Sequence, residues 1–570
     1  MNGRWMKRRL KVLFLQLPLL DNDITPAHEN VPLAGGYLGH ALAGSPESRF
    51  FTSLVQPASW EPLDDAHLLQ RIIAARPDVI ACTLYLWNIE RTLNILKRAR
   101  AIIPVRVIAG GPEIARDHPF LFRSTAVDVA VIGEGEPVFP SILAALRTGR
   151  RTDFQNVAWR NGWRWTWGSK LPPHLALDDM LPPPGWRGFG PDARGMAYLE
   201  ATRGCPMNCT YCSYNQRRSR MTCLEPNRVE AHVRALIRAG TREIRFIDPT
   251  FNTHPFFEDI LRRLAAVNRK RKAVFFAELR PDRVTVEQAR MLAASGFAEI
   301  EVGVQSCDPQ VLRLIQRPLS IAASDAGIRA LAGVGIRVTL DLMYGLPRQP
   351  LSDIHRSVRW AANRKNVRVQ CLQTLLLPGT EIRRARSRYG LQGMDRPPYA
   401  VTATARLSNK AMQQAEAFIE RKLGCSYDGP TERFVGHRPS GLFPEQVHID
   451  LDTAGHRMTG SENRRAVFFH SHDFFAVRHQ LRDTVARAIR NEPYVLWQFV
   501  LVMGREEPLD VLDMLAAEVL KHLPLVLDHL PGVRFGHLRA SRRIFVRLAG
   551  RRFARSWVIA AGELLRSHFF

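Results

Sequence analysis

Apolar runs alternate with amphipathic stretches along the first 150 residues of the chain. Runs such as KVLFLQLPL and DVIACTLYLWN are almost continuously apolar, which is typical of strands covered on both faces of a sheet. Stretches such as IERTLNILKRARAI place apolar residues at helical spacing. The alternation predicts an α/β fold over residues 1–150, with a doubly wound, parallel, Rossmann-like sheet. Such sheets bind their ligands at the carboxyl ends of the strands.

The pattern breaks at residue 151 and resumes at residue 196. Residues 151–195 are dense in Pro, Gly and Trp, and we predict a linker there, with one short hairpin around Trp163 to Trp167. Over residues 196–400, six strand-like runs with helical stretches between them predict a partial, TIM-like (β/α)6 barrel. The site of such a barrel gathers at the mouth formed by the carboxyl ends of its strands.

Residues 401–570 lack this rhythm, and we predict a mixed, mainly helical accessory or substrate domain. Its end, over residues 534–566, is rich in Arg, with apolar residues such as Phe545 and Leu548 interleaved. At helical spacing this predicts a basic amphipathic helix. Two interpretations stay open. The helix only caps the barrel, or it covers the barrel mouth and recruits an anionic substrate, a carrier or a membrane surface.

The formal net charge of +26 is the strongest compositional signal. An Arg-rich composition alone accounts for it; an anionic partner, such as nucleic acid, membrane phosphate or an anionic substrate, is the alternative. The apolar runs are shorter than the roughly 20 residues of a membrane span, and the apolar start has no small-residue cleavage site. We therefore expect a cytoplasmic, thiol-reduced protein without a transmembrane segment.

Three cysteines lie close together in RGCPMNCTYC, directly after the first predicted strand of the barrel. A cubane [4Fe–4S] cluster usually takes four Cys thiolates, so three leave one iron free to bind a small molecule. The alternative is a zinc site completed by a distant His, but the loop itself holds no His and no fourth Cys. The spacing therefore favours an iron–sulfur cluster.

The pattern Cys-x-x-x-Cys-x-aromatic-Cys, with Tyr211 as the aromatic residue, resembles the signature of the radical S-adenosylmethionine (SAM) enzymes. The resemblance extends over about residues 196–385. It implies that Cys205, Cys209 and Cys212 hold three irons of a [4Fe–4S] cluster and that the amine and carboxylate of SAM bind the fourth. It also implies that an electron from a donor such as flavodoxin or ferredoxin cleaves SAM to a 5′-deoxyadenosyl radical.

Polar residues at the barrel strand ends are candidates for holding SAM. In FAELRPD, a carboxylate and a guanidinium share one face of a strand and would grip the ribose and the carboxylate of SAM; an internal ion pair is the alternative. In FIDPTFN, an aspartate lies near where the family holds the SAM amine, although the family's usual Gly-Gly-Glu is absent. The expected SAM-binding residues are Tyr211, Asp248, Glu278, Arg280, Gln305, Leu346 and Pro378, and Asp341 and Tyr344 are candidate catalytic residues.

The N-terminal segments VPLAGGYLGHAL, LYLWN, AGGPE and VIGEGEPVF occur in the order found in B12-dependent radical SAM enzymes, whose cobalamin-binding domain they resemble. A generic nucleotide fold without a corrin is the alternative. Glycines lack a β-carbon, so those at the strand ends would let backbone approach the corrin. The resemblance implies cobalamin binding by Leu84, Trp87, Asn88, Gly110, Gly111, Gly133 and Gly135.

One motif of classical cobalamin domains is missing. Their Asp-x-His-x-x-Gly supplies a His below cobalt, and the nearest match here, DAHLLQ, lacks the Gly and falls on a helix. We interpret His67 as an ordinary surface residue and expect cobalamin to be bound base-off, with no His ligand.

The resemblance as a whole implies a methyltransferase that uses both cofactors. One SAM would methylate cobalamin, and the radical from a second SAM would let methylcobalamin methylate an unactivated carbon of a small-molecule or peptide intermediate. The positive net charge leaves an anionic substrate open. Two alternatives remain open. One is a B12 radical SAM enzyme for rearrangement or cyclisation, and the other is a radical SAM enzyme that modifies nucleic acid, which we expect less because the N-terminal domain has only one cysteine, Cys82.

Overall fold

The structure is a computed structural model. It describes residues 8–20, 30–183, 186, 190–192, 194–214, 221–362, 364–424, 445–453, 460–522, 542–550 and 553–569, with side chains as far as residue 565. The described chain forms three sheets of four or more strands, and hydrophobic cores pack between these sheets and their helices, on both faces of the first sheet.

The N-terminal part of the chain alternates strands and helices. Their bounds are β1 Leu10–Leu15, α1 Leu33–Ala43, β2 Phe51–Val55, α2 Asp65–Ala75, β3 Val79–Thr83, α3 Ile89–Ile102, β4 Arg106–Gly110, β5 Val129–Val131 and α4 Phe139–Thr148. The five strands are parallel, in the order β2-β1-β3-β4-β5. The predicted doubly wound fold is confirmed. The order in which successive strands are added reverses between β1 and β3, and such sheets bind their ligands at this switch point.

A hairpin extends this sheet beyond β5. Its strands are β6 Val157–Asn161 and β7 Arg164–Trp167, and both pair antiparallel. The hairpin lies in the interval expected to be a linker, where it covers the edge of β5 that would otherwise be open. A short helix follows, α5 Leu177–Met180.

The second sheet contains six parallel strands in chain order. Its elements are β8 Met196–Leu199, α6 Pro226–Arg238, β11 Glu243–Phe246, α7 Phe257–Val267, β12 Val274–Leu279, α8 Val286–Ser295, β13 Phe297–Gln305, α9 Pro309–Leu314, α10 Ile321–Gly333, β14 Arg337–Tyr344, α11 Leu351–Ala362 and β15 Val367–Gln373. β8 and β15 are the two edges of this sheet, so the barrel is open. This is the predicted partial (β/α)6 barrel.

Short elements surround the barrel. They are β9 Thr202–Arg203 paired with β10 Thr222–Cys223, α12 Glu381–Arg384, β16 Gln392–Gly393 paired with β17 Val401–Ala403, and α13 Asn409–Leu423. Helix α13 packs on α11. The three-cysteine loop follows β9, and α12 lies against that loop, because the Ile382 amide donates to the Thr210 carbonyl at 2.9 Å.

The C-terminal region contains a third parallel sheet beside its helices. Its elements are β18 Glu445–Asp450, β19 Arg464–His470, α14 Arg478–Asn491, β20 Leu496–Met503, α15 Asp510–Leu520, β21 Arg543–Leu548 and α16 Arg555–Phe569. The predicted continuous basic helix is wrong where it covers Phe545 and Leu548, because these residues lie in β21. β21 pairs with β20, and apolar residues of β21 pack in the core of this sheet. This pairing and burial outweigh the helical spacing of the arginines. Residues 534–541 and 551–552 lie outside the described residues.

Buried polar contacts join the first domain to the rest of the chain. The Tyr399 hydroxyl donates to the Glu113 carboxylate at 2.6 Å, and His118 Nε2 lies 3.0 Å from the same carboxylate. All three side chains are buried. Glu113 follows β4 and Tyr399 follows the barrel, so these contacts fix the AGGPE loop against the barrel.

Removing the Tyr399 hydroxyl should weaken this junction. A hydrogen bond to a buried charged group contributes about 1.5–3 kcal/mol, so we expect Tyr399→Phe to lower the free energy of unfolding by that amount. Chemical denaturation followed by tryptophan fluorescence measures it. Tyr389→Phe is the control, because within the described chain the Tyr389 hydroxyl makes no hydrogen bond; equal loss in both variants would contradict the assignment.

Candidate functional site

A cavity of about 400 Å³ lies between the first sheet and the barrel. The carboxyl ends of β1, β3, β4 and β5 form one side, which includes the switch point between β1 and β3. Residues Glu200, Arg203 and Gly204 before the cysteine loop, and Ser213 and Tyr214 after it, form the other side. The cavity is therefore bordered both by the ligand-binding edge of the first sheet and by the residues that flank the three-cysteine loop.

Four glycines predicted from the sequence line this cavity: Gly110, Gly111, Gly133 and Gly135. A β-carbon on Gly110 would meet no atom within 4 Å, so this position opens onto free space. Gly111 has φ +101°, and a β-carbon there would lie 2.6 Å from the Leu84 carbonyl oxygen. The glycines thus permit a left-handed turn and a bare backbone surface that a large flat ligand can approach.

The other residues predicted for cobalamin lie behind the cavity wall. Leu84 is fully buried, and its amide donates to the Gly110 carbonyl. The Asn88 side chain accepts from the Tyr85 amide at 2.9 Å and donates to the Leu17 carbonyl, so it shapes the loop. Trp87 stacks on Tyr85 at 4.4 Å. Tyr85 itself lines the cavity and was missed, although LYLWN contained it.

The residues present fit a corrinoid at this cavity. The wall is mostly apolar, with Gln16, Glu134 and Glu136 as polar groups for the amide side chains of a corrin. A whole cobalamin is larger than this cavity, so the cavity would hold one part of it. His67 is absent from the lining; it lies in α2, with its Nδ1 2.8 Å from Asp64.

The three cysteines occupy a loop that is tethered on two sides. The Thr210 amide donates to the Ile315 carbonyl at 3.0 Å, and α12 binds the Thr210 carbonyl. Cys209 is buried, and burial raises the pKa of the Cys212 thiol to about 11. A thiolate at Cys212 therefore needs nearby positive charge, which bound iron supplies.

Within the described chain, no three His, Cys, Asp or Glu side chains converge to hold a single metal ion. In a cubane each thiolate binds a different iron, so its three sulfurs stand farther apart than the ligands of one ion.

Arg317 is a site residue that the sequence analysis missed. It follows α9, and its guanidinium lies 3.6 Å from Cys209 Sγ and donates to the Gly303 carbonyl at 2.5 Å. Burial lowers its pKa, but the Tyr211 and Cys209 side chains outweigh burial and the net shift is upward. Its buried Nε has no hydrogen-bond partner among the described residues, so it is poised for an acceptor from a ligand.

Gln305 lies at the end of β13, beside Arg317. It has φ +73°, a left-handed conformation that costs a non-glycine residue free energy and is often kept at binding sites. Its Oε1 is buried without a partner in the described part of the chain. A β-carbon on Gly303 would collide with both side chains, so this glycine lets them meet.

Asp248 is fully buried at the end of β11. Its Oδ2 accepts from the Ala201 amide at 3.1 Å, and its Oδ1 has no partner within the described residues. Burial raises the pKa of Asp248 to about 8. An unpaired buried carboxyl would suit a ligand that brings a positive charge or a donor.

Two other predicted residues have different surroundings. Glu278 is exposed at its strand end. Arg280 is buried and held by Asp282 through two contacts of 2.9 and 2.7 Å, and it also donates to the Pro318 carbonyl. Arg280 is thus in an ion pair, but its partner is Asp282, whereas the alternative from the sequence paired it with Glu278.

The remaining predicted residues are buried, or contact other side chains of the barrel. Tyr211 contacts two apolar clusters, one of which contains the fully buried Leu346. Tyr344 is 1% exposed in the main barrel core. Asp341 lies on the face of β14 opposite to Tyr344, and it accepts a hydrogen bond from Gln370 Nε2 at 2.8 Å. Pro378 is also buried.

One guanidinium links the cavity to the cysteine loop. Arg203 Nη2 lies 2.7 Å from Glu200, and its Nη1 lies 2.9 Å from Glu136 and 3.5 Å from Glu134. Burial lowers the pKa of Arg203, but Glu136 and Glu200 outweigh it and hold the pKa well above its usual range. Tyr37 of α1 donates to Glu200 and lies against the guanidinium. The sequence analysis missed this network, although GEGE and RGCP contain three of its four charged residues.

Comparison with known proteins agrees with this architecture. The sequence model of the B12 binding domain matches residues 53–143, and that of the Radical SAM superfamily matches residues 199–361. A B12-binding domain followed by a radical SAM domain is the arrangement of cobalamin-dependent radical SAM enzymes. This chain carries both domain matches in that order.

Two relatives illustrate the range of the similarity. The cobalamin-dependent radical SAM methyltransferase TokK of Streptomyces tokunonensis is 27% identical over 318 residues, which cover 51% of this chain and 46% of TokK. The anaerobic magnesium-protoporphyrin IX monomethyl ester cyclase of Rubrivivax gelatinosus is 21% identical, over 56% of this chain and 60% of that one. The chain therefore spans only about half the length of TokK.

A solved structure shares the fold. The radical SAM methyltransferase TsrM from Kitasatospora setae, solved with tryptophan and a SAM analogue, superposes with a TM-score of 0.54 at 16% identity. The match covers 70% of this chain and 81% of TsrM. Among the described helices, none is both long and apolar enough to cross a bilayer.

The raised pKa of Asp248 predicts a pH dependence of stability. Between the unfolded value of 3.8 and the folded value of about 8, the folded protein keeps a proton that the unfolded chain has lost. The free energy of unfolding should therefore fall as pH rises through this window. Asp248→Asn should flatten that decrease, measured by urea unfolding of the protein without cofactors at several pH values.

The control is Asp483→Asn, on a carboxyl that is 59% exposed. This variant should follow the wild-type profile. An Asp248→Asn profile as steep as that of the wild type would show that the carboxyl is ionised in the folded protein.

Proposed function

We propose that the protein is a cobalamin-dependent radical SAM methyltransferase that transfers a methyl group to an unactivated carbon of a small-molecule or peptide intermediate. The observation that carries the proposal is the cavity that the switch point of the first sheet shares with the flanks of the three-cysteine loop. A corrinoid held there lies beside the site of a cluster on Cys205, Cys209 and Cys212. The similarity to TokK and TsrM supports methyl transfer.

When bound, the cluster and SAM supply a 5′-deoxyadenosyl radical, and cobalamin supplies the methyl group. The chain's own residues then have three tasks. The loop presents three thiolates and leaves one iron free. Arg317 Nε and Gln305 Oε1, both buried without partners in the described chain, would hold the carboxylate and amine of SAM. Arg317 suits the carboxylate better than Arg280, because Asp282 already neutralises Arg280.

Other residues would orient SAM and shape the mouth. Asp248 would accept from the ligand at its unpaired Oδ1, and the exposed Glu278 would accept from the ribose hydroxyls. Tyr211, within the cysteine loop, packs against two apolar clusters and would fix the conformation of the loop. Asp341, held by Gln370, is the residue we would place nearest the substrate.

The substrate class rests on likeness and charge. TsrM was solved with tryptophan bound, which supports a small molecule, and the net charge of +26 supports an anionic one. All seven described cysteines are free, which suits a reducing cytoplasm.

The decisive experiment follows a labelled methyl group. Anaerobically reconstituted protein should hold about four irons per chain, cleave SAM, and transfer a deuterated methyl group from SAM to cobalamin. Changing Cys205, Cys209 and Cys212 together to Ala should abolish iron binding and SAM cleavage, and Cys223→Ala should keep both. Full iron content in the triple variant would overturn the proposal.

A second candidate function is a rearrangement or cyclisation without methyl transfer. The similarity to the magnesium-protoporphyrin IX monomethyl ester cyclase favours it. The same labelling separates the two, because this alternative predicts SAM cleavage with no labelled methyl group on cobalamin or product.

Corrin retention tests the cavity directly. Gly110→Leu should fill the open space beyond Gly110 and reduce the cobalamin retained from about one per chain to a small fraction. Iron content and the urea midpoint should not change, because the side chain enters a void. Absorbance of bound cobalamin after gel filtration measures the effect.

Gly333→Leu is the matched control. Gly333 is exposed at the end of α10, and a β-carbon there also meets no atom within 4 Å. This variant should retain wild-type cobalamin. Undiminished cobalamin in Gly110→Leu would place the corrin elsewhere.

A further inference from the structure

A second cleft, of about 540 Å³, is lined by Arg383 and Arg384 of α12, the helix whose Ile382 contacts the cysteine loop. Four arginines line it against two aspartates: Arg123, Arg383, Arg384 and Arg386 against Asp117 and Asp395. It shares no lining residue with the cavity assigned to the corrin. It therefore belongs to neither of the sites described above.

The cleft is strongly basic, and hydrogen bonds to the backbone hold the side chains at its base. Arg383 is 9% exposed; it donates to the Leu376 carbonyl at 2.7 Å and lies 3.9 Å from Asp117. The Asp117 carboxylate accepts from the Gly379 amide at 2.7 Å, so it is partly committed to backbone. Arg384, Arg386 and the neighbouring Arg388 are exposed. An excess of positive charge therefore faces solvent, above the buried and hydrogen-bonded Arg383.

The helix that lines this cleft also contacts the cysteine loop. Ile382, next to Arg383, is fully buried and shares an apolar cluster with Tyr211 of the loop. The Ile382 amide also donates to the Thr210 carbonyl at 2.9 Å. The two faces of one short helix thus touch the cysteine loop and present arginines to solvent.

We propose that this arginine cleft is the docking surface for an acidic, one-electron carrier protein that reduces the cluster. The inference rests on the proposed function, since only a redox cluster on the loop gives an electron carrier a reason to dock here. A flavin or iron–sulfur donor would be oxidised by one electron and the cluster reduced by one, with no bond made or broken.

Charge complementarity identifies the partner as an acidic protein. Transient redox complexes bury little area and depend on opposite charge to find each other. The net charge of +26 adds a long-range attraction that the cleft focuses. A small anionic substrate would need a path to the barrel mouth, whereas this cleft is separate from the corrin cavity.

The test compares two reductants of opposite charge. Reconstituted full-length protein is mixed with flavodoxin hydroquinone, or with the cationic radical of methyl viologen, and bleaching of the cluster is followed by stopped flow. The variant carries Arg384→Glu, Arg386→Glu and Arg388→Glu. Loss of electrostatic steering should lower its bimolecular rate with flavodoxin at low salt by about tenfold or more. Its rate with methyl viologen should not fall.

The matched control reverses three exposed arginines on outer barrel helices: Arg262→Glu, Arg290→Glu and Arg329→Glu, which are 69%, 67% and 69% exposed. It has the same net charge as the cleft variant and should keep most of the wild-type rate. A milder cleft variant, Arg386→Gln with Arg388→Gln, should show a smaller decrease in the same direction.

Three outcomes would overturn the docking surface. The cleft variant keeps the wild-type flavodoxin rate at low salt, both triple variants lose rate equally, or high salt leaves the wild-type rate unchanged. Failure of the proposed function gives a different result: wild-type protein reduced by methyl viologen would not cleave SAM. The two hypotheses therefore fail separately.

Discussion

The guanidinium of Arg203 is the contact on which the arrangement of the site depends. It lies within 4 Å of Glu200 in its own domain and of Glu134 and Glu136 at the end of β5 in the other. A mostly buried cation among three carboxylates is stable only if each group keeps its partners, because an unpaired buried charge costs several kcal/mol. These ion pairs therefore fix the position of the two domains relative to each other at the point where cobalamin and cluster would meet.

Arg203 stands two residues before Cys205, so the ionic cluster around Arg203 also fixes the start of the cysteine loop. Farther along the loop, backbone hydrogen bonds to Ile315 and Ile382 fix Thr210. The loop is thus held at its start by an ionic cluster and at its middle by two amide–carbonyl contacts. Under the proposed function, the corrin would approach it from the first sheet, SAM from the barrel interior, and an electron carrier across α12.

Several groups at the barrel mouth lower the stability of the fold. Asp248 and Arg317 are buried with polar atoms that lack partners among the described residues, and Gln305 adopts a left-handed backbone conformation. Each costs free energy in the absence of ligand. They are grouped around the loop that would carry the cluster, and this is the expected cost of holding polar groups ready for a charged ligand. Elsewhere in the barrel, buried side chains are mainly apolar.

The sequence by itself determined the fold class of the first two domains, because long apolar runs and helical periodicity dominate there; α3, for example, matches its predicted segment residue for residue. It also determined the three-cysteine loop and the cavity glycines, since spacing and the lack of a β-carbon are local properties. Tertiary structure decided the rest. Arg317 joins Cys209 from 108 residues away, and Arg203 finds Glu136 across a domain boundary. β21 became a strand because β20 was there to pair with it. Such outcomes depend on which distant groups are brought together, and no local pattern in the chain encodes that.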